Sequence, residues 1–340
     1  MKKLSILLLT CVLIIGALSG CASGESDSGS SNKLVIYSPN SEEIIKTIIP
    51  MFEKETGITV ELVTAGTGEI IKRLQSEKQN PYADVMFGGS MAGFRENAAL
   101  WEPYVSPEDK NLIEGHRNKT GFATPYISDG SVLLVNKNLI GDIKIEGYAD
   151  LLNPQLKGKI ASADPASSSS AFAQLTNMLK AMGGDYESEQ GWNYVAQLIE
   201  NLDGKIASGS GAVHKSVADG EYVVGLTYED PSSTYVKNGA PVEIVYPKEG
   251  AVFLDAGSAI VKDAPHMDNA KKFIDFILSK EAQDAFGTQL TNRPLRQDTK
   301  LGDHMKPYEE IYMIEEDTDY VSEHKSEIVE RYVDLFTSVK

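Results

Sequence analysis

The sequence predicts an α/β protein folded as two lobes, and three observations carry that expectation. A strand, a helix and a second strand follow one another between Lys33 and Val63, the order of a βαβ unit. The same alternation recurs further along the chain. Beyond a leader the chain has roughly 320 residues, more than one core commonly holds, at ~250–300.

Lys33-Leu34-Val35-Ile36-Tyr37 is a β-branched run stopped by Ser38-Pro39-Asn40, hence a strand and a loop. Ser41-Glu42-Glu43 opens a helix with apolar positions at Ile44, Ile45, Ile48, Ile49 and Phe52, and Gly57 closes it. Ile58 to Val63 is the next strand. A helix follows from Glu69 to about Lys78, then a strand over Ala83–Phe87. Strands are expected at 130–135, 159–161 and 222–227, with an extended segment at 251–261. Helices are expected at 171–182, 192–202, 269–278 and 280–287, and the chain after Pro307 reads as helical with mixed charge. The sheet is expected to be parallel and covered by helices.

The start of the chain addresses its compartment. Met1-Lys2-Lys3 is a short basic segment and Leu4 to Ala17 is almost wholly apolar. Leu18-Ser19-Gly20-Cys21 then puts small residues ahead of a cysteine, the pattern of a bacterial lipoprotein signal. A membrane-spanning helix is the alternative, but the apolar run falls short of the ~20 residues a span needs. The expectation is a signal over 1–20, lipid on Cys21 and a flexible tether over 21–32, anchoring the protein at the cell surface or on the periplasmic side. Cys11, the other of two cysteines, leaves with the signal, so no disulfide is expected. The formal charge of −17 argues against nucleic acid and anionic membrane as ligands. It leaves a small anion open, because local N–H and hydroxyl donors act at closer range.

The loops that follow the strands share a composition. Ser38-Pro39-Asn40, Gly66-Thr67-Gly68, Gly88-Gly89-Ser90, Ser128-Asp129, Ser167 to Ser170 and Tyr228-Glu229-Asp230 are small and polar. Ligands of open α/β sheets bind outside the carboxyl ends of the strands, so these loops are expected to line one cleft. The plainer reading is ordinary loop composition. Ser167, Ser168, Ser169 and Ser170 precede an apolar helical run, so they are either a linker with one cap or an anion cradle. Thr67 and Gly68 offer a second helix start. Ser38, Asn40, Gly89, Ser90, Asp129 and Thr227 complete the candidate lining. His214 is the one histidine near it, with a solvent-exposed helix position as the alternative.

No enzyme constellation stands out. The five histidines form no HxxxH, HExxH or HxH pair, and neither a GxSxG elbow nor a GxxxxGK[ST] loop is present. No metal site and no cofactor are expected. A surface phosphohydrolase remains the alternative class.

LVIYSPN before an amphipathic helix, FEKETGITVEL, PYADVMFGGS, GKIASADPASSSSAF and VADGEYVVGLTYED together resemble the substrate-binding proteins of ABC importers. The resemblance runs from about Lys33 to the end and is greatest to the branch that binds ferric iron, sugar phosphates and 2-aminoethylphosphonate. It implies the two-lobed periplasmic-binding-protein fold of type II, a ligand cleft between the lobes, a permease partner and a monomer. The first lobe is expected over 33–127 plus 253–300 and the second over 128–252. The helices of 301–340 are expected to pack back on a lobe.

Ferric-binding members of that branch carry two adjacent tyrosines, and the matching positions here are Glu229 and Asp230. Tyr228 stands one place early, and the loop after the first strand holds no histidine. Iron is therefore the weaker alternative, although carboxylates are hard oxygen ligands. A phosphonate or phosphorylated organic solute fits better, its anionic head on the serines and the Thr67-Gly68 helix start. Glu229 and Asp230 then face an amine or hydroxyl tail, with an exposed turn before Pro231 as the alternative for them.

Overall fold

A computed structural model describes residues 32–207 and 209–338. The signal, Cys21 and all but the last residue of the tether lie outside the described residues. Strand β1 (Lys33–Ser38) shows why the sheet is covered on both faces. Its alternating side chains go to opposite cores: Leu34 and Ile36 pack with Phe52, Phe87 and Phe273, while Val35 and Tyr37 pack with Ile70, Leu74 and Trp101. Helix α1 (Glu42–Thr56) starts where Ser41 Oγ accepts the Ile44 N–H and ends at Gly57, whose φ of 69° a residue with a side chain rarely adopts. Strand β2 (Thr59–Thr64), helix α2 (Thr67–Glu77), strand β3 (Val85–Ser90) and the short helix α3 (Met91–Glu96) follow.

The long strand β4 (Ala123–Asn136) then carries the chain from one half of the sheet to the other. Its first part, to Gly130, pairs with β8 (Phe253–Ile260), and from Ser131 onward it pairs with β6 (Val224–Tyr228). A Cβ on Gly130 would lie 2.5 Å from the Phe253 ring, so the crossing point requires glycine. The second half contains β5 (Ile160–Ala161), α4 (Ser169–Gly183), α5 (Glu189–Leu202), α6 (Ser210–Ala218), α7 (Glu229–Lys237) and β7 (Val242–Val245). The chain returns along β8 to the first half, with α8 (Met267–Ile277), α9 (Lys280–Thr288) and β9 (Arg293–Pro294). Helices α10 (Thr318–Glu323) and α11 (Lys325–Ser338) place Val321, Ile328 and Tyr332 in the core of the second half, with Leu175, Trp192 and Leu198.

Strand order is β2-β1-β3-β8-β4-β6-β5, with β7 and β9 also on β4. The expectation of a parallel sheet is corrected to a mixed one. β1 runs parallel to β2 and β3, and β5 to β6, whereas every pairing of β4 and β8 is antiparallel. The cause is the double passage between halves, out on β4 and back on β8. The result is a mixed α/β fold of two lobes, with its central strands at the junction.

Candidate functional site

The polar residues of this junction come from both halves of the sheet. Asp129 is on β4 one residue before the crossing, half-buried, and its Oδ1 accepts the backbone N–H of Asp230 at 3.1 Å. Tyr228, at the cap position of α7, makes no side-chain cap, so the carboxylate of Asp129 supplies one from a neighbouring strand. Asp230 Oδ1 in turn accepts from Thr291 Oγ1 at 2.5 Å, and the Asn292 side chain also bonds to it. Thr234, one turn along α7, meets Thr291 at 3.0 Å. Residues 291–292 connect α9 to β9, so the first half of the sheet grips the start of α7 directly.

These carboxyls are electrostatically crowded. Burial first, and then the charges of Asp230 and Glu229, push Asp129 well above the usual carboxylate range. Asp230 is raised chiefly by burial, with Glu229 and Glu43 adding to it against the hydrogen bonds of Thr291 and Asn292. A group placed here that carries a positive charge or donates hydrogen bonds relieves this crowding. Tyr228, its hydroxyl bonded to Ser210, is raised above the ordinary tyrosine value by burial and then by Asp129 and Asp230. Such a phenol resists ionisation.

The hydroxyls adjoin the acids. Ser210 Oγ lies 3.5 Å from Ser170 Oγ, which links the serine run to Tyr228 and so to the acid pair. Within the run, Ser168 is buried and caps α4 by accepting the Ala171 N–H at 3.3 Å. Ser169 and Ser167 are exposed, and Ser170 is half-buried. His214 is half-buried, with Nδ1 3.4 Å from Thr227 Oγ1 and its ring against Tyr228 and Tyr235. Burial lowers its pKa. The histidine therefore faces the β6 end and not open solvent.

Other predicted residues are engaged elsewhere. Ser38 is fully buried and its hydroxyl donates to the Phe87 carbonyl at 2.6 Å, so it holds β1 to β3 and does not present a free hydroxyl. Asn40 donates to the same carbonyl at 3.0 Å and accepts from Tyr126 Oη at 2.8 Å. Ser90 caps α3 by accepting the Gly93 N–H at 3.1 Å. Gly89, at φ 131°, permits the turn into that helix. Thr67 and Gly68 are exposed at the start of α2, which has no side-chain cap.

Glu229 departs most from expectation. It does not stand in an open loop facing a ligand: β6 ends at Tyr228 and Glu229 opens α7. Its carboxylate is buried against Arg293, Nε to Oε2 at 2.7 Å and Nη2 to Oε1, and Tyr246 Oη also donates to it. An acid this enclosed is neutralised inside the protein, and Asp129 takes the place beside Asp230 that sequence reasoning gave to Glu229. Arg293, Thr291, Asn292, Ser210 and Tyr126 were missed. The signal for Arg293 was an arginine amid the extended, otherwise uncharged run Thr291-Asn292-Arg293-Pro294-Leu295.

Two cavities are bounded mostly by other residues, although Tyr246, the donor to Glu229, lines the second. One of about 510 Å³ is bounded by α6 and residues 204–207; the other, about 940 Å³, lies between β7 and residues 303–312. Neither is lined by a predicted site residue. Among the described residues, no group of three or more His, Cys, Asp or Glu is placed to hold a metal ion, and no helix is long and apolar enough to cross a membrane.

Residues 34–289 match the family model described as bacterial extracellular solute-binding protein. A Salmonella typhimurium protein named for 2-aminoethylphosphonate binding in the periplasm is 26% identical over 261 residues, covering 75% of each chain. Iron uptake protein A1 of Synechocystis is 26% identical over 269 residues, covering 75% of this chain and 73% of its own. Among solved structures, the periplasmic binding protein AfuA of Actinobacillus pleuropneumoniae with fructose-6-phosphate bound is 25% identical. It superposes with a TM-score of 0.72 over 90% of this chain and 98% of its own.

Proposed function

Because the chain belongs to the bacterial extracellular solute-binding proteins, the receptors that hand a small solute to an ABC permease, we propose that its solute is a phosphonate or phosphorylated organic molecule with an amine or hydroxyl tail. The observation that carries this reading is the chain of hydroxyls that leads from the acid pair Asp129–Asp230 through Tyr228 to Ser210 and on to Ser170. The acid pair receives the tail. The exposed Ser169, with Ser170 and the first N–H groups of α4, receives the anionic head. Thr67 and Gly68 at the start of α2 meet that head from the other lobe when the lobes close.

In this reading the lobes divide near 33–127 plus 253–300 and 128–252, and the chain works without catalysis, as a monomer held to the membrane by lipid on Cys21. A relative named for 2-aminoethylphosphonate binding and a solved relative with fructose-6-phosphate bound support the solute class. Ferric iron has support from the iron-uptake relative, but Tyr228 lacks a second tyrosine and its hydroxyl is biased against ionisation. Native mass spectrometry of the protein as purified tests the reading. A co-purified organic phosphonate or phosphate ester is expected; stoichiometric iron in its place overturns it.

A further inference from the structure

Three consecutive residues of the first half, Thr291-Asn292-Arg293, grip two consecutive residues of the second, Glu229-Asp230. Thr291 and Asn292 hold Asp230, and Arg293 holds Glu229. Among the described residues Arg293 is the largest fully buried side chain, at 0% exposure, and Glu229 is at 1%. The guanidinium offers Nε and Nη2 to the two oxygens of one carboxylate, a fork that fixes direction as well as distance. Its Nη2 also donates to the Lys306 carbonyl at 2.7 Å, and its plane lies 4.5 Å from the Tyr308 ring centre and 5.2 Å from that of Phe253. On the main chain, Arg293 is paired with Ser128, next to Asp129. The arginine is therefore anchored to the strand that carries one acid of the site and clamps the residue that precedes the other.

Stability alone does not account for such a pair. A buried ion pair gains little over apolar side chains of the same size, because both charges leave water. What it adds is geometric. Glu229 is the first residue of α7, so holding its side chain sets the rotation of that turn and with it the direction of the Asp230 carboxyl.

We propose that Arg293 is a positioning residue for solute binding: through its buried fork to Glu229 it fixes the first turn of α7, and so sets Asp230 against Asp129 at the junction of the lobes. The inference rests on the reading that this acid pair faces the solute. The charged and titratable groups around the pair are Glu229 and Asp230 on α7, Tyr228 on β6, Asp129 and Tyr126 on β4 and Glu43 on α1.

The test uses the folded protein without solute first. Arg293→Met with Glu229→Gln removes both charges together, and Arg293→Lys keeps the charge but loses the fork; either variant suffices if the other fails to fold. Hydrogen exchange is read at residues 228–234 and, for reference, in β1 and α5. Exchange in 228–234 is expected to quicken about tenfold or more while β1 and α5 stay within about twofold. Equal acceleration in all three regions, or none in 228–234, overturns the proposal. Calorimetry with 2-aminoethylphosphonate then separates the two readings. Loss of affinity in the variants, with binding by the wild type, supports positioning of the site. Unchanged affinity overturns it. If the wild type does not bind the probe, the solute assignment fails, while the exchange result still decides the role of Arg293 in fixing α7.

Discussion

The backbone N–H of Asp230 donates to Asp129 Oδ1 at 3.1 Å, tying the first turn of α7 to the strand that crosses between the two halves of the sheet. The contact makes Asp129 a helix cap supplied from another element, and it brings Asp129 close enough to Asp230 for the Asp230 charge to disfavour its ionisation. Several consequences of that arrangement can be measured.

In the folded protein Asp129 and Asp230 both hold their protons above the ordinary aspartate pKa of 3.8. The folded protein therefore binds more protons than the unfolded chain once pH exceeds about 4, and these two groups make stability fall as pH rises through their raised values. Asp129→Asn keeps an acceptor for the Asp230 N–H and removes the charge. It should raise the melting temperature at pH 7–8 by about 2–4 °C and give no gain near pH 3.5. Thermal melts of both proteins across this range check it; an equal gain at both ends would mean that charge is not the cause.

The serine run separates into two roles. Ser168→Ala loses the cap on the Ala171 N–H and should cost about 1 kcal/mol of stability. Ser169→Ala touches an exposed hydroxyl and should leave stability unchanged. If the run cradles the anionic head, that variant weakens binding of 2-aminoethylphosphonate by roughly tenfold or more. Calorimetry and denaturant melts on the pair distinguish the two effects.

Tyr228 should not give an iron phenolate. Burial, Asp129 and Asp230 all keep its proton on. Adding ferric citrate should produce no visible charge-transfer band. A band that vanishes in Tyr228→Phe would reassign the site to iron.

Much of the frame is legible in the sequence because its signals are local. Ser41 and Gly57 bracket α1, and the β-branched run of β1 needs no partner to be recognised. Helices α6 and α7 are harder. Ser210 to Ala218 has weak periodicity, and α7 places Pro231 in its first turn, where a missing N–H costs nothing but the sequence reads as a loop. The site was half-visible: Tyr228, Asp230 and the serines stand at the polar ends of strands or starts of helices, whereas Ser128-Asp129, expected as a loop, lies inside the long strand β4, because that strand runs on through the junction. The fate of Glu229 was not visible, because its partner Arg293 is 64 residues away and no spacing rule connects them. Ser38 and Ser168 show the converse, since composition identifies a hydroxyl but not what already uses it.

The central claim is that one solute carries an anionic head for the hydroxyls and a cationic or hydroxyl tail for the acid pair. Calorimetry of 2-aminoethylphosphonate against ethylphosphonate, on the wild type and on Asp230→Asn, tests it most directly. The account predicts that the wild type prefers the amine-bearing ligand by about tenfold or more and that Asp230→Asn abolishes this preference while retaining ethylphosphonate affinity within about twofold. Equal affinity of the wild type for both ligands, or a preference that survives in Asp230→Asn, would contradict it.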